Sequence, residues 1–429
     1  MHQVDLSLTE ITKVEGSAAL DIRVRDGKIE ECKFSIKEFK RFYTQAMAGK
    51  HYASLPQLLA RICGTCSNAH LLCSIESCEK ALGIQPTPQT LVLKDLTMNG
   101  LMIRDHALHL YLFALPDIYK RDSFLAFDEN SPEEHQHLHD AFDIKAAGNY
   151  LATIVAGRSV HAINPTIGGF IKVPTAEETK EAVEKLTAIR PAVLRLIKIF
   201  EQCDFSLTTQ ALPVALVGRP FNFLRGAIKG FGDQEIPEED FPKHLEHVVL
   251  PYSQASAYKF EGKLFMVGAL ARLNLSQDTL HKNTKKDAAS ALKLFPSQNI
   301  FHNNLAQAIE ILHCLDSSID ELKRADFKKE PLVKPAKKSG VGIGVIEAPR
   351  GTLYHKVEIG QDGKVIKGEI VVPTGQNQIS IEADLRARLT ELLPQELDAD
   401  ALRFEMEKLI RAYDPCMSCA AHFLKVNWS

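Results

Sequence analysis

Arg61-Ile-Cys63-Gly-Thr-Cys66-Ser-Asn-Ala-His70, near the start of the chain, has a counterpart near its end, Asp414-Pro-Cys416-Met-Ser-Cys419-Ala-Ala-His422. Each stretch is a Cys-x-x-Cys pair with a histidine close behind. One such pair alone fits a redox dithiol, half a zinc site or no site at all; two pairs point to four thiolates around a soft metal. Zinc is the simplest occupant. Zinc fingers and ribbons, however, close within a few tens of residues, whereas these pairs stand at opposite ends of the chain, so only the folded protein can assemble them. A catalytic metal site built between the two extremities is the stronger reading.

The remaining composition sets the frame for that site. With 429 residues, of which 45% are hydrophobic, the chain has enough apolar surface for a large core. Lys+Arg 51 against Asp+Glu 54 leaves a net charge of -3, which argues against a nucleic-acid footprint. No stretch is apolar over the roughly 18 residues of a membrane span, and Met1-His-Gln-Val-Asp lacks the basic and apolar regions of a signal peptide. Nine cysteines are an odd number, which favours metal or redox chemistry over a disulfide framework and so a reducing, cytoplasmic setting.

Working outward from the first motif, residues 18–24 and 28–36 alternate apolar and polar about Asp26-Gly27 and read as a β-hairpin. Residues 91–115, 133–155 and 177–200 carry apolar positions three and four apart and read as long helices. Residues 213–274 are mixed, with helices resuming near Ala288 and Leu305. The basic, proline-containing run from Lys328 to Gly340 reads as a surface loop. Residues 341–346, 351–359 and 364–372 form a second β meander, followed by helices over 379–393 and 397–413, the latter stopped at Asp414-Pro415. The expectation is a predominantly helical α+β protein, a central bundle of long helices with peripheral β-hairpins. It is read as one domain over 1–429: a β region (1–55), a helical body (56–325), a meander (326–377), and C-terminal helices with the second motif (378–429).

Both cysteine motifs resemble, at every fixed position, the two signature motifs of the nickel-iron hydrogenase large subunit. Four further segments resemble that family in the same order. They are Ile11-Thr-Lys-Val-Glu15-Gly16; Asp105-His106-Ala-Leu-His109-Leu-Tyr111 with Leu115-Pro-Asp117; Gly157-Arg-Ser-Val-His161 with Gly168-Gly169; and Ala348-Pro349-Arg350-Gly351 with Val372-Pro373-Thr374-Gly-Gln-Asn377.

The resemblance implies the fold of that subunit and the reversible heterolytic cleavage of dihydrogen. Cys63 and Cys416 would be terminal thiolates on nickel, and Cys66 and Cys419 would bridge nickel to an iron bearing carbon monoxide and cyanide. Cys416 would take the proton first and pass it to Glu15, the relay carboxylate. Arg350 would stand over the metals, with the backbone around Pro349 facing one cyanide, Thr374 donating to the other, and Asp117 and Asp414 holding the arginine. His70 would orient a bridging sulfur, and His106 and His109 would have at most a supporting role. His135-Gln-His-Leu-His139 reads instead as a solvated helix start, and Cys32, Cys73, Cys78, Cys203 and Cys314 as small buried hydrophobes or free thiols.

Three departures from the family pattern stand out. Ser17 follows Glu15-Gly16 where many members have histidine. Thr44 occupies a position where many have a glutamate that helps bind an additional magnesium or iron near the C-terminal histidine, which argues against such an ion at His422. Finally, Phe423–Ser429 continue past the point where relatives are clipped, which suggests an unclipped member or a precursor. By the same resemblance the partners would be an iron-sulfur small subunit, flavin and iron-sulfur diaphorase-type subunits, and maturation factors. The short chain and Leu115-Pro-Asp117 look more like the cytoplasmic multisubunit group. A hydrogen sensor with the same metals, a quinone-reductase-like subunit and a plain zinc protein are the competing readings.

Overall fold

The computed structural model describes residues 3–230, 235–395 and 397–421. His422 and the Phe423–Ser429 tail lie outside the described residues, as therefore do the expectations about an ion at His422 and about clipping.

The N-terminal hairpin pairs Ala18–Arg25 with Lys28–Ile36, and both turn residues, Asp26 (φ 49°) and Gly27 (φ 71°), adopt the left-handed backbone that a two-residue hairpin turn demands. Val4–Leu8 adds a third antiparallel strand that lies on the other side of Ala18–Arg25. Val4, Leu6 and Leu8 alternate with the exposed Asp5 and Ser7, the period-two pattern of a strand over a run of five residues.

The helical body is built on three long helices, Pro88–Leu108, Pro132–Ala156 and His302–Arg324. Gly100 and Gly148 let the first two approach closely: a Cβ on Gly148 would lie 2.8 Å from the Arg104 nitrogen. Pro88–Leu108 continues through a π turn, His109–Ala114, into Leu115–Ile118, and such widened turns accompany functional positions. The single helix expected over 177–200 is two, Ala176–Ala188 and Arg190–Glu201, because Pro191 lacks the N–H needed to continue the first. Within the histidine-rich stretch, His135 and His139 are exposed as expected, but His137 is buried against Tyr119 and Phe127.

The second meander, Gly340–Ala348, Gly351–Ile359 and Val365–Val371, is antiparallel throughout. Its first strand lies directly on the helix Ser67–Leu82. Added Cβ atoms at Gly340, Gly342 and Gly344 would fall 2.3, 2.0 and 2.5 Å from the carbonyl oxygens of Ala81, Ser77 and Cys73, so these glycines permit the backbones to touch. The helix expected from residue 379 begins at Pro373, a proline suited to a first turn, and runs to Leu392. Thr374 is thereby part of a helix N-terminus. Ala399–Ala412 completes the elements and leads into the second cysteine motif. Most buried side chains form one apolar core, with a smaller cluster around Phe241, Phe260, Phe265 and Tyr354 beneath the second meander.

Candidate metal centre

Each cysteine pair straddles the start of a helical segment. Cys63 is extended (φ −147°) after the turn Ala60–Ile62, and Cys66 precedes the helix Ser67–Leu82. Cys416 immediately precedes the short turn Met417–Ala420, which carries Cys419. The two motifs meet: Cys63 Sγ is 3.4 Å from Cys416 Sγ, and Cys66 Sγ is 3.0 Å from Cys419 Sγ. All four sulfurs lie within 4.8 Å of one another and all four residues are buried. These separations exceed a disulfide bond, and no cysteine among the described residues is disulfide-linked. Burial pushes the Cys416 and Cys419 thiols up, whereas hydrogen bonding with the neighbouring cysteines pulls Cys63 down. A bound cation is what would hold all four as thiolates at once, and the all-sulfur set selects soft transition metals.

The second motif is held by the first segment of the chain. Met417 N–H donates to the Glu15 carbonyl at 2.9 Å, bringing the Glu15 side chain to the site. The Cys416 thiol donates to Glu15 Oε2 at 2.9 Å, and Ser418 donates its N–H to Oε2 (3.3 Å) and its hydroxyl to Oε1 (2.8 Å). Burial and the nearby Cys63 thiolate push the Glu15 carboxyl above its ordinary range, against the hydrogen bonds it receives.

Arg350 roofs the small cavity whose wall includes Cys66, Cys416, Cys419 and Thr374. It is 4% exposed, donates Nη1 to Asp105 Oδ2 at 2.7 Å and places Nη2 3.1 Å from Asp414 Oδ1. Its Nε finds no acceptor among the described residues, so a buried donor stands ready for a ligand. Asp414 thus holds the arginine as expected, but Asp117 does not. Asp117 receives Arg411 Nε and Nη2 at 2.6 and 2.9 Å and Lys13 Nζ at 2.8 Å. The second carboxylate on Arg350 is Asp105, one helical turn before His109. The backbone around Pro349 borders the site: the Pro349 carbonyl accepts from Arg272 Nη2 at 3.1 Å, and its neighbours Ala348 and Arg350 line the cavity.

Thr374 Oγ1 accepts the Cys416 N–H at 2.9 Å. His70 places Nε2 3.6 Å from Cys419 Sγ, and burial pushes its ring down to about 4, so it is neutral there. His109 lies further out, with Nε2 donating to the Arg411 carbonyl (2.9 Å) and Nδ1 2.6 Å from Gln307 Oε1. Gln307 Nε2 in turn donates to Asp414. His106 pairs with Glu310, away from the sulfurs. Asp105, Ser418, Arg272 and His355 are the participants that sequence reasoning missed. Asp105 carries a signal, a carboxylate grouped with Arg104, His106 and His109 in a helical stretch whose other residues over 101–110 are apolar.

Comparison with known proteins agrees with this geometry. The family described as nickel-dependent hydrogenase matches residues 43–134 and 235–422. The chain is 30% identical over 426 residues to sulfhydrogenase 2 subunit alpha of Pyrococcus furiosus, covering 98% of this chain and 100% of that one. It is 26% identical over 467 residues to NAD-reducing hydrogenase HoxS subunit beta of Cupriavidus necator, covering 98% and 95%. In structure it is similar to an NAD+-reducing nickel-iron hydrogenase in the H2-reduced state, with a TM-score of 0.88, 23% identity and coverage of 98% and 99%. The fold and the buried four-sulfur site define a nickel-iron large subunit. The chain belongs to the nickel-dependent hydrogenase family. It is a hydrogenase catalytic subunit, and the cluster Cys63, Cys66, Cys416 and Cys419 is its nickel and iron site.

Proposed function

We propose that Cys416 and Glu15 are the proton path of this hydrogenase, that an iron-sulfur partner subunit takes its electrons, and that the assembly is cytoplasmic. The observation that carries the proton path is the 2.9 Å contact between the Cys416 thiol and Glu15 Oε2. When bound, nickel and an iron with the carbon monoxide and cyanide ligands typical of the family supply the electron-poor centre at which dihydrogen is polarised. Cys416 Sγ is a base inside that centre and gives its proton to Glu15 at hydrogen-bond range. Ser418 fixes the carboxylate through both oxygens, so the acceptor does not swing away. Gly16 and Ser17, the next two residues, are exposed, and Glu15 therefore stands between buried sulfur and solvent.

The other side chains prepare the cavity electrostatically. The free Nε of Arg350 meets a buried anionic ligand with a charge that two carboxylates already orient. Thr374 spends its oxygen on the Cys416 N–H, which leaves its own O–H to donate toward the second such ligand.

Among the described residues the four site sulfurs are the only metal-binding cluster, so electrons leave through another polypeptide. The segment outside the site supports a docking place. Arg41 donates to the carbonyls of Ile62 and Ser418, and Tyr43 to that of Arg61, while Phe39 (87% exposed) and Phe42 (43%) turn outward beside them. Exposed aromatic rings of this kind mark protein interfaces. Cytoplasmic placement is supported by nine cysteines, none disulfide-linked among the described residues, and by hydrogenase relatives such as the NAD-reducing subunit.

The test is Glu15→Gln in the metal-loaded protein. Nickel and iron contents that match the parent, together with slowed exchange between dihydrogen and deuterated water, are expected. Exchange at the parental rate overturns the proton path, and zinc in place of nickel and iron overturns the site.

A further inference from the structure

A second histidine stands directly behind His70. His355, in the middle of the strand Gly351–Ile359, is fully buried, and its Nε2 lies 3.2 Å from His70 Nδ1. Its other nitrogen, Nδ1, has no hydrogen-bond partner among the described residues. The pair exists because Gly344, the residue across the ladder from His355, lets the helix bearing His70 settle onto the sheet. A chain of contacts results, from Cys419 Sγ to His70 Nε2 at 3.6 Å and from His70 Nδ1 to His355 Nε2 at 3.2 Å.

We infer that His355 fixes the tautomer of His70 and thereby makes that ring a hydrogen-bond donor to the Cys419 sulfur. A neutral imidazole has one N–H and one bare nitrogen, so the two rings share their hydrogens in one of two ways. In the first, His355 donates Nε2–H to His70 Nδ1, His70 donates Nε2–H to sulfur, and the unpartnered atom is the bare His355 Nδ1. In the second, His70 donates Nδ1–H to His355, the His70 lone pair faces the thiolate, and a buried His355 N–H has no acceptor. The second arrangement sets a lone pair against an anionic sulfur and strands a buried donor, whose desolvation nothing offsets. The first strands only an acceptor and wins on both counts. His355 is a positioning residue, acting on the metal ligand through His70 in the way outer partners set ligand basicity.

A hydrogen bond to the Cys419 sulfur would draw electron density from it and hence from the metals that the four cysteines would hold. In His355→Phe, His70 is free to take the other tautomer. The infrared bands of the carbon monoxide and cyanide ligands should then move to lower wavenumber at unchanged nickel and iron content. His355→Gln, whose amide N–H replaces the donor, should keep the parental bands. If His355→Phe does not load metal, His355→Met, an apolar side chain without a donor, is read in its place. Parental bands in the donor-free variant, or equal shifts in the donor-free and glutamine variants, overturn the inference. It rests on the nickel-iron reading: a parent protein without such bands overturns that reading itself, whereas bands indifferent to His355 overturn this one alone.

Discussion

At the scale of single residues, the proposed proton path rests on Glu15. It accepts from the Cys416 thiol and from Ser418 and is half-buried at the edge of the site. A glutamine keeps the shape but takes up no proton, so turnover in Glu15→Gln should fall on the order of 100-fold or more, the usual worth of a positioned acid–base group, in an assay of hydrogen oxidation with metal content as control. A different residue reports on acid stability. Burial pushes His313 down to about 4, against about 6.5 in an unfolded chain. Between those values the unfolded state binds a proton that the folded state does not, so the stability His313 confers above about pH 6.5 is lost as pH falls toward 4, at most about 3 kcal/mol. His313→Phe lacks this loss, and its stability deficit relative to the parent should shrink between about pH 7 and pH 4.5 in denaturant unfolding; a deficit that stays constant would refute the assignment. The cysteine ligands were legible in sequence because Cys-x-x-Cys is a metal-ligand spacing, whereas Glu15 was legible only through the resemblance of its segment to the family. The roles of Asp105 and His355 were not, since only the fold shows that one faces Arg350 and the other His70.

At the scale of elements, the long helices and the strands of both β regions were legible from periodicity, and the first hairpin from Asp26-Gly27. What periodicity missed were decisions made by single atoms. Pro191 splits one amphipathic run into two helices, and Pro373 starts a helix six residues before the apolar pattern does. The glycines of Gly340–Ala348 are a similar case. They are spaced by two, all on the side that meets Ser67–Leu82, where the next atoms are backbone carbonyls. A Cβ at Gly342 would sit 2.0 Å from the Ser77 oxygen, so helix and strand must part. Gly342→Ala should cost at least about 1–3 kcal/mol in denaturant unfolding, the range for forcing one methyl into packed structure. The same displacement separates His70 from His355, and an alanine variant as stable as the parent would show that the contact is slack.

At the scale of the whole molecule, the site requires that residues near 15, 63 and 416 be brought to one place, and Asp117 does part of that work rather than holding Arg350. Its carboxylate binds Arg411 through two nitrogens and Lys13 through a third, while Arg411 also reaches the Thr12 carbonyl and Glu407. The segment that delivers Glu15 is thus tied to the helix that delivers Cys416. Arg411 is 1% exposed and Asp117 2%, so removing the carboxylate leaves a buried guanidinium without its main partner. Asp117→Ala should cost about 3–5 kcal/mol, the range for breaking a buried ion pair from one side. Because Asp105 and Asp414 still hold Arg350, the infrared bands of the loaded variant should remain those of the parent while exchange of dihydrogen with deuterated water slows, as Glu15 loosens. Shifted bands would place Asp117 back beneath the arginine. Parental stability would show that some other contact joins the two ends of the chain.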